Sequence, residues 1–214
     1  MFLDRKDAAN KLSLELEKYK NEDTIILAIP RGGIVTAYDT IKKFGFQWDF
    51  IIPRKIGVPS NKEYAIGAVC SDGTYFINEE YAHSLNISQD YIEKEVSSET
   101  KEIKRRLKKY RGSEDFPEVK GKTVIIVDDG IATGLTIIAA IKSIEKHEAR
   151  KVVVAVPVAP VETIAVLEKL VDEVICLLVP DEFYAVGQFY RTFEQVTDEE
   201  VFSITKELGL TLKV

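Results

Sequence analysis

The sequence predicts an α/β fold, doubly wound around a mainly parallel sheet with flanking helices. Three observations carry that expectation. Val124, Ile125, Ile126 and Val127 are consecutive β-branched residues, the run expected of a parallel strand covered on both faces. Short apolar runs alternate with segments of helical period along the chain. Three polar turns, at 30–33, 53–64 and 128–136, follow predicted strands, and ligands of such sheets bind at the strands' carboxyl ends. The 214 residues, 45% of them hydrophobic, are enough for one core, so residues 1–214 read as a single domain.

In order, residues 4–20 read as an amphipathic helix with Ala8, Leu12, Leu16 and Tyr19 on one face. Thr24 to Ile29 is a short strand, 30–33 a turn, Ile34 to Phe44 a helix and Trp48 to Ile52 a second strand. Residues 53–64 are rich in Pro, Gly and charge, as a mobile lid would be. Residues 66–77 then form a hairpin turning at Ser71-Asp72-Gly73. A long helical insertion covers 88–111, capped by Ser88 and ended by Gly112. Its tail from Lys101 to Arg111 holds seven basic residues and one acid. This is either a solvated basic face or a source of charge from Arg105, Arg106 or Arg111 for a polyphosphate site or dimer contact. After the 122–136 stretch come a strand at Lys151–Val156, a helix at Val161–Leu170 and a strand at Val174–Val179. Thr197-Asp-Glu-Glu200 fits a capping box for a last helix.

The 122–136 stretch carries the chemistry. Asp128 and Asp129 sit where a buried strand ends, Gly130 to Thr136 turn, and helical period starts at Leu135. A helix N-terminus offers free N–H donors and a positive dipole end to a phosphate, and Gly134 permits close approach. Two carboxylates repel phosphate, but they accept hydrogen bonds from sugar hydroxyls or face Mg²⁺ through its waters. The parts together describe a site for a ribose 5-phosphate. The competing reading is a strand–turn–helix whose acids cap the helix. In Arg31-Gly32-Gly33, the glycines can expose N–H groups and Arg31 adds a fork of donors. A tight turn with a surface Arg explains the same residues.

The stretch resembles the signature of type I phosphoribosyltransferases that binds 5-phosphoribosyl 1-pyrophosphate (PRPP): four apolar residues, two acids, then Thr-Gly-x-Thr. That resemblance implies Asp128 and Asp129 on the ribose hydroxyls and the metal, and Gly130, Ile131, Ala132, Thr133, Gly134, Leu135 and Thr136 around the 5-phosphate. Arg31, Gly32 and Gly33 resemble the pyrophosphate loop. The order Arg54-Lys55, Gly57, Pro59, Glu63-Tyr64 resembles the flexible loop of adenine phosphoribosyltransferases. By that likeness Arg54 and Lys55 contact pyrophosphate or base, and Glu63 handles a proton. Pro180 to Tyr190 resembles the hood of hypoxanthine-guanine enzymes, with Phe183 or Tyr184 stacking on the base and Val186 reading its edge. Ala132 stands where those enzymes carry an acid. Across nearly its full length the chain most resembles microbial phosphoribosyltransferases of unassigned acceptor. The resemblance implies Mg²⁺, PRPP, a purine-like nitrogenous base and a homodimer. A PRPP-binding regulatory protein without turnover, and a phosphohydrolase of similar esters, are the other readings.

Composition narrows the rest. A net charge of −6 argues against general nucleic-acid binding. Cys70 and Cys176 have no framework or zinc spacing and fit reduced core positions of a cytoplasmic protein. The expectation is no signal peptide and no membrane span.

Overall fold

The computed structural model describes residues 1–209, apart from the side chain of Glu63. Five parallel strands form the central sheet: β1 (Thr24–Ala28), β2 (Gln47–Phe50), β6 (Thr123–Val127), β7 (Lys151–Val158) and β8 (Glu173–Leu178), ordered β2-β1-β6-β7-β8. Between β2 and β6 in the chain lies a separate antiparallel sheet of β3 (Arg54–Val58), β4 (Asn61–Val69) and β5 (Tyr75–Ile77). The predicted doubly wound α/β fold is the observed one.

Side chains on the central strands alternate between two apolar clusters. Ile26, Ala28, Ile125 and Val127 face α1 (Arg5–Leu16) and α2 (Gly32–Phe44). Ile25, Leu27, Val124 and Ile126 face α5 (Leu135–Lys146) and α6 (Val161–Leu167). All five residues of β6 are buried, and each Ile or Val so covered contributes about 1.5–3 kcal/mol. Covering both faces is why this strand reads as an unbroken apolar run.

Local cap signals appear where the sequence placed them. Ser88 accepts the N–H of Tyr91 at the start of α4 (Gln89–Arg111), and Gly112 ends it with φ of 76°. Thr197 accepts the N–H of Glu200 to start α7 (Asp198–Glu207). The hairpin turn at 71–73 is present, with Cys70 N–H donating to the Thr74 carbonyl at 2.8 Å.

Residues 53–64 correct the sequence reading. They are not loop alone but most of a first hairpin, β3–β4. Gly57 marks an irregularity in its register, and a Cβ there would stand 2.3 Å from the Lys62 carbonyl oxygen. Glycine in this strand marks a close backbone approach instead of a loop. A short α3 (Glu79–Ser84), capped by Asn78, was also not anticipated. Among the described residues, no helix is long and apolar enough to cross a membrane.

Candidate active site

The chain leaves β1 for β2 on one side and returns to β6 on the other. The loops after β1 and β6 therefore diverge over one crevice, the place a doubly wound sheet offers a ligand. Ile29 N–H donates to the Val127 carbonyl at 2.9 Å and joins the two loops. The Pro30–Arg31 peptide is cis.

Gly32 and Gly33 have a role that the sequence did not predict. A Cβ on Gly33 would meet the Val127 carbonyl oxygen at 2.5 Å, and one on Gly32 would strike the Asp129 carboxylate. The glycines let the start of α2 press against the end of β6. The Gly33 N–H donates to the Ile29 carbonyl at 2.9 Å, so that amide is not free for an anion. This corrects the expectation that both glycines present donors.

The next loop is held from outside. Ile131 is buried, and its N–H donates to the Val158 carbonyl at 2.9 Å. Thr163 Oγ1 donates to the Ala132 carbonyl at 2.6 Å. Gly134 has φ of +75° and precedes the first turn of α5, where the opening N–H groups lack intrahelical partners. Ala132 and Thr133 are exposed; Leu135 and Thr136 are half-buried. Gly130 lies beneath Val186, whose Cγ1 would be 2.5 Å from a Cβ there.

An open cavity of about 690 Å³ lies over the crevice, with Pro30, Arg54, Lys55, Glu99, Arg106, Asp128 and Thr136 on its wall. It brings together residues from the three predicted turns and from α4. Arg54 pairs with Glu99, and Lys62 with Glu95 at 2.5 Å, so two cations of the first hairpin rest on α4. Arg106 pairs with Glu102 at 2.9 Å. Arg105 pairs with Glu102 too, at 2.7 Å, and is the more exposed of the two. Arg111 is buried against Asp49 and belongs to the core, which removes it from the polyphosphate reading. Glu63 lies on β4, and its side chain is outside the described residues.

Several expected residues are not on that wall. Arg31 sits 3.8 Å from Asp198 and lines a neighbouring cavity of about 330 Å³ with Arg5, Gly32 and Phe193. Phe183 packs on Phe189 with ring centres 5.2 Å apart. Tyr184 is 84% exposed. Val186 packs on Gly130 as above.

The two acids differ. Asp128 faces the cavity and accepts the Asp129 N–H at 2.8 Å. Among the described residues it has no cation at ion-pair distance. Burial, then the neighbouring charge of Asp129, pushes its carboxyl well above the usual carboxylate range. Asp129 is also raised by burial, while Arg5 opposes the rise. Arg5 Nε donates to Asp129 Oδ2 at 2.6 Å. Tyr190 O–H donates to the Asp129 carbonyl at 2.6 Å. Neither Arg5 nor Tyr190 was anticipated. One signal was available for Arg5: a cation in a helix's first turn opposes the dipole and calls for a specific partner.

Asp128 is a hard oxygen donor without a cation, facing open space, and suits a Mg²⁺ ion that keeps its waters and takes its other ligands from a phosphate. Asp129 fits that role less well, because Arg5 holds its Oδ2. Among the described residues, no group of three or more His, Cys, Asp or Glu forms a closed metal cage.

Residues 2–194 match the family described as "Phosphoribosyl transferase domain". A Mycobacterium tuberculosis protein named "Putative phosphoribosyl transferase" is 36% identical over 201 residues, 94% of this chain and 45% of that protein. The chain thus spans about half the length of the curated relatives it matches. A ribose-phosphate pyrophosphokinase of Sulfurisphaera tokodaii is 45% identical over 74 residues, 34% of this chain and 23% of that one. The crystal structure of the protein TT1426 from Thermus thermophilus superposes with a TM-score of 0.81 at 36% identity, covering 97% of this chain and 98% of that one. On the fold, the crevice and these matches, the chain belongs to the phosphoribosyl transferase family.

Proposed function

We propose that this site transfers the phosphoribosyl group of PRPP to a nitrogenous base and releases pyrophosphate. The observation that carries the reading is the one cavity shared by Asp128, the first turn of α5 and the cations of the β3–β4 hairpin and α4. Those are the chemistries of a sugar diol, a terminal phosphate and a pyrophosphate.

The 5-phosphate sits in the loop Ala132–Thr136, against the positive end of α5. Asp128 accepts hydrogen bonds from the ribose hydroxyls, with Asp129 behind it. Lys55, Arg106 and Arg54 face the pyrophosphate, with Arg31 and Gly32 at the rim. In the reaction the C1–O bond to pyrophosphate breaks with its electron pair leaving on pyrophosphate, and a ring nitrogen of the base gives its electron pair to C1 as its N–H proton passes to the departing pyrophosphate or to solvent. Negative charge grows on the departing pyrophosphate, where fixed cations stabilise it most. Mg²⁺ bound to PRPP and Asp128 would add Lewis-acid neutralisation of that charge. A purine-like acceptor, the homodimer and a cytoplasmic setting belong to the same proposal, through the family resemblance.

The test pairs binding with turnover. PRPP titrated calorimetrically with Mg²⁺ should bind the wild type and lose most of its affinity with Asp128→Asn plus Asp129→Asn. Pyrophosphate release is then followed with a panel of purines and pyrimidines. Unchanged affinity in the double variant would sink the assignment, and binding without release would favour a sensor.

A further inference from the structure

Arg5 reaches the site from the first turn of α1. Asp4 caps that turn by accepting the Asp7 N–H at 2.8 Å, which fixes where Arg5 begins. Its guanidinium is then held on three sides. Nε meets Asp129 Oδ2 at 2.6 Å, Nη1 donates to the Glu194 carbonyl at 2.7 Å, and Cζ lies 3.8 Å from the centre of the Phe193 ring. The Arg5 side chain is 12% exposed and that of Asp129 15%. A planar fork fixed by a carboxylate, a carbonyl and a ring has little freedom left.

The surroundings repeat the connection. Phe2 N–H donates to the Phe189 carbonyl at 2.7 Å, and Arg191 N–H returns to the Phe2 carbonyl at 2.9 Å. Tyr190, between them in the chain, holds the Asp129 carbonyl. The start of the chain and residues 189–194 therefore form one strap over the second acid.

Two adjacent buried carboxylates repel each other and any phosphate brought beside them. Arg5 cancels one of those charges on the side away from the larger cavity. Asp128 keeps its open face on that cavity. We propose that Arg5 is a positioning residue: it holds Asp129 in a closed ion pair and leaves Asp128 as the carboxylate that meets the ligand's sugar hydroxyls. The two acids of the motif are then not interchangeable, and the first turn of α1 is part of the binding site. This rests on the PRPP reading above.

The experiment is a double-mutant cycle read by calorimetry with Mg²⁺ and PRPP, with a melting curve for each protein. The proteins are wild type, Arg5→Met, Arg5→Lys, Asp129→Asn, Asp128→Asn and Arg5→Met with Asp129→Asn. Arg5→Met should weaken PRPP binding on the order of tenfold in the wild-type background and only about twofold once Asp129 is Asn. Arg5→Lys should recover part of the loss. Asp128→Asn should cost about tenfold more than Asp129→Asn. The double variant removes both members of the buried pair, so it stays informative if Arg5→Met alone unfolds. Losses that simply multiply, or equal losses for the two Asp→Asn changes, would overturn the proposal while the PRPP reading stands. A wild type that does not bind PRPP would overturn both.

Discussion

Gly32 and Asp129 touch across the ends of β1 and β6: a Cβ on Gly32 would stand 1.9 Å from Asp129 Oδ2 and 2.4 Å from its Cγ. To make room, the Asp129 side chain would have to turn away from Arg5, while Tyr190 keeps the Asp129 backbone carbonyl in place. Gly32 opens α2, so alanine there would suit the backbone and change only the contact with the carboxylate. Gly32→Ala is therefore expected to weaken PRPP binding on the order of tenfold, with a melting temperature close to wild type. Gly33→Ala should behave differently, because its Cβ would meet the backbone oxygen of Val127 at 2.5 Å. That substitution should lower the melting temperature by several degrees. Calorimetry and thermal melts on the two variants separate the cases, and matching behaviour would refute the distinction.

The β3–β4 hairpin rests on α4 through Arg54 with Glu99, Lys62 with Glu95, and Tyr91 O–H on the Gly57 carbonyl at 2.7 Å. Arg54 and Glu99 both line the larger cavity. The carboxylate occupies a cation that an anionic ligand would otherwise use. Glu99→Gln should tighten pyrophosphate binding by about two- to fivefold, the scale of a partly exposed ion pair near 0.5–1 kcal/mol. Competition of pyrophosphate against PRPP measures it. Weaker binding in the variant would mean that Glu99 orients Arg54 for the ligand.

Asp72 ties the second hairpin to α5. It accepts from Thr74 Oγ1 at 2.6 Å, from Thr74 N–H at 3.0 Å and from Ser143 Oγ at 2.9 Å. Burial pushes its carboxyl up, but the Thr74 and Ser143 hydrogen bonds and the Lys146 charge outweigh it and hold the carboxyl below its ordinary value of 3.8. With the folded value below the unfolded one, the stabilisation is complete above the unfolded value and is lost as pH falls through the folded one. Asp72→Asn should cost about 1 kcal/mol near neutral pH. The gap to wild type should close below about pH 4. Urea unfolding at both pH values tests this. A constant gap would assign the effect to hydrogen-bond geometry alone.

The strands β1, β6 and β7 were legible because they are buried on both faces and so read as apolar runs rich in Val and Ile. The caps at Ser88, Gly112 and Thr197 were legible because a cap is a local bond within three or four residues. The 53–64 segment misled because Pro53, Gly57 and Pro59 punctuate it like a loop. Its strand exists through pairing with β4, which a single segment does not reveal.

The sequence by itself determined the α/β class, the strands of the central sheet with their order in the chain, and the strand–turn–helix around residues 128–136, since each rests on neighbours in the chain. Tertiary structure alone decided how charges are shared. Arg5 on Asp129, Arg54 on Glu99 and Arg111 on Asp49 join residues 124, 45 and 62 positions apart. A charged side chain looks the same in sequence whether water or a buried partner will hold it. Only the fold, by removing water from some of them, distinguishes the acid left facing the cavity from the acid held behind it.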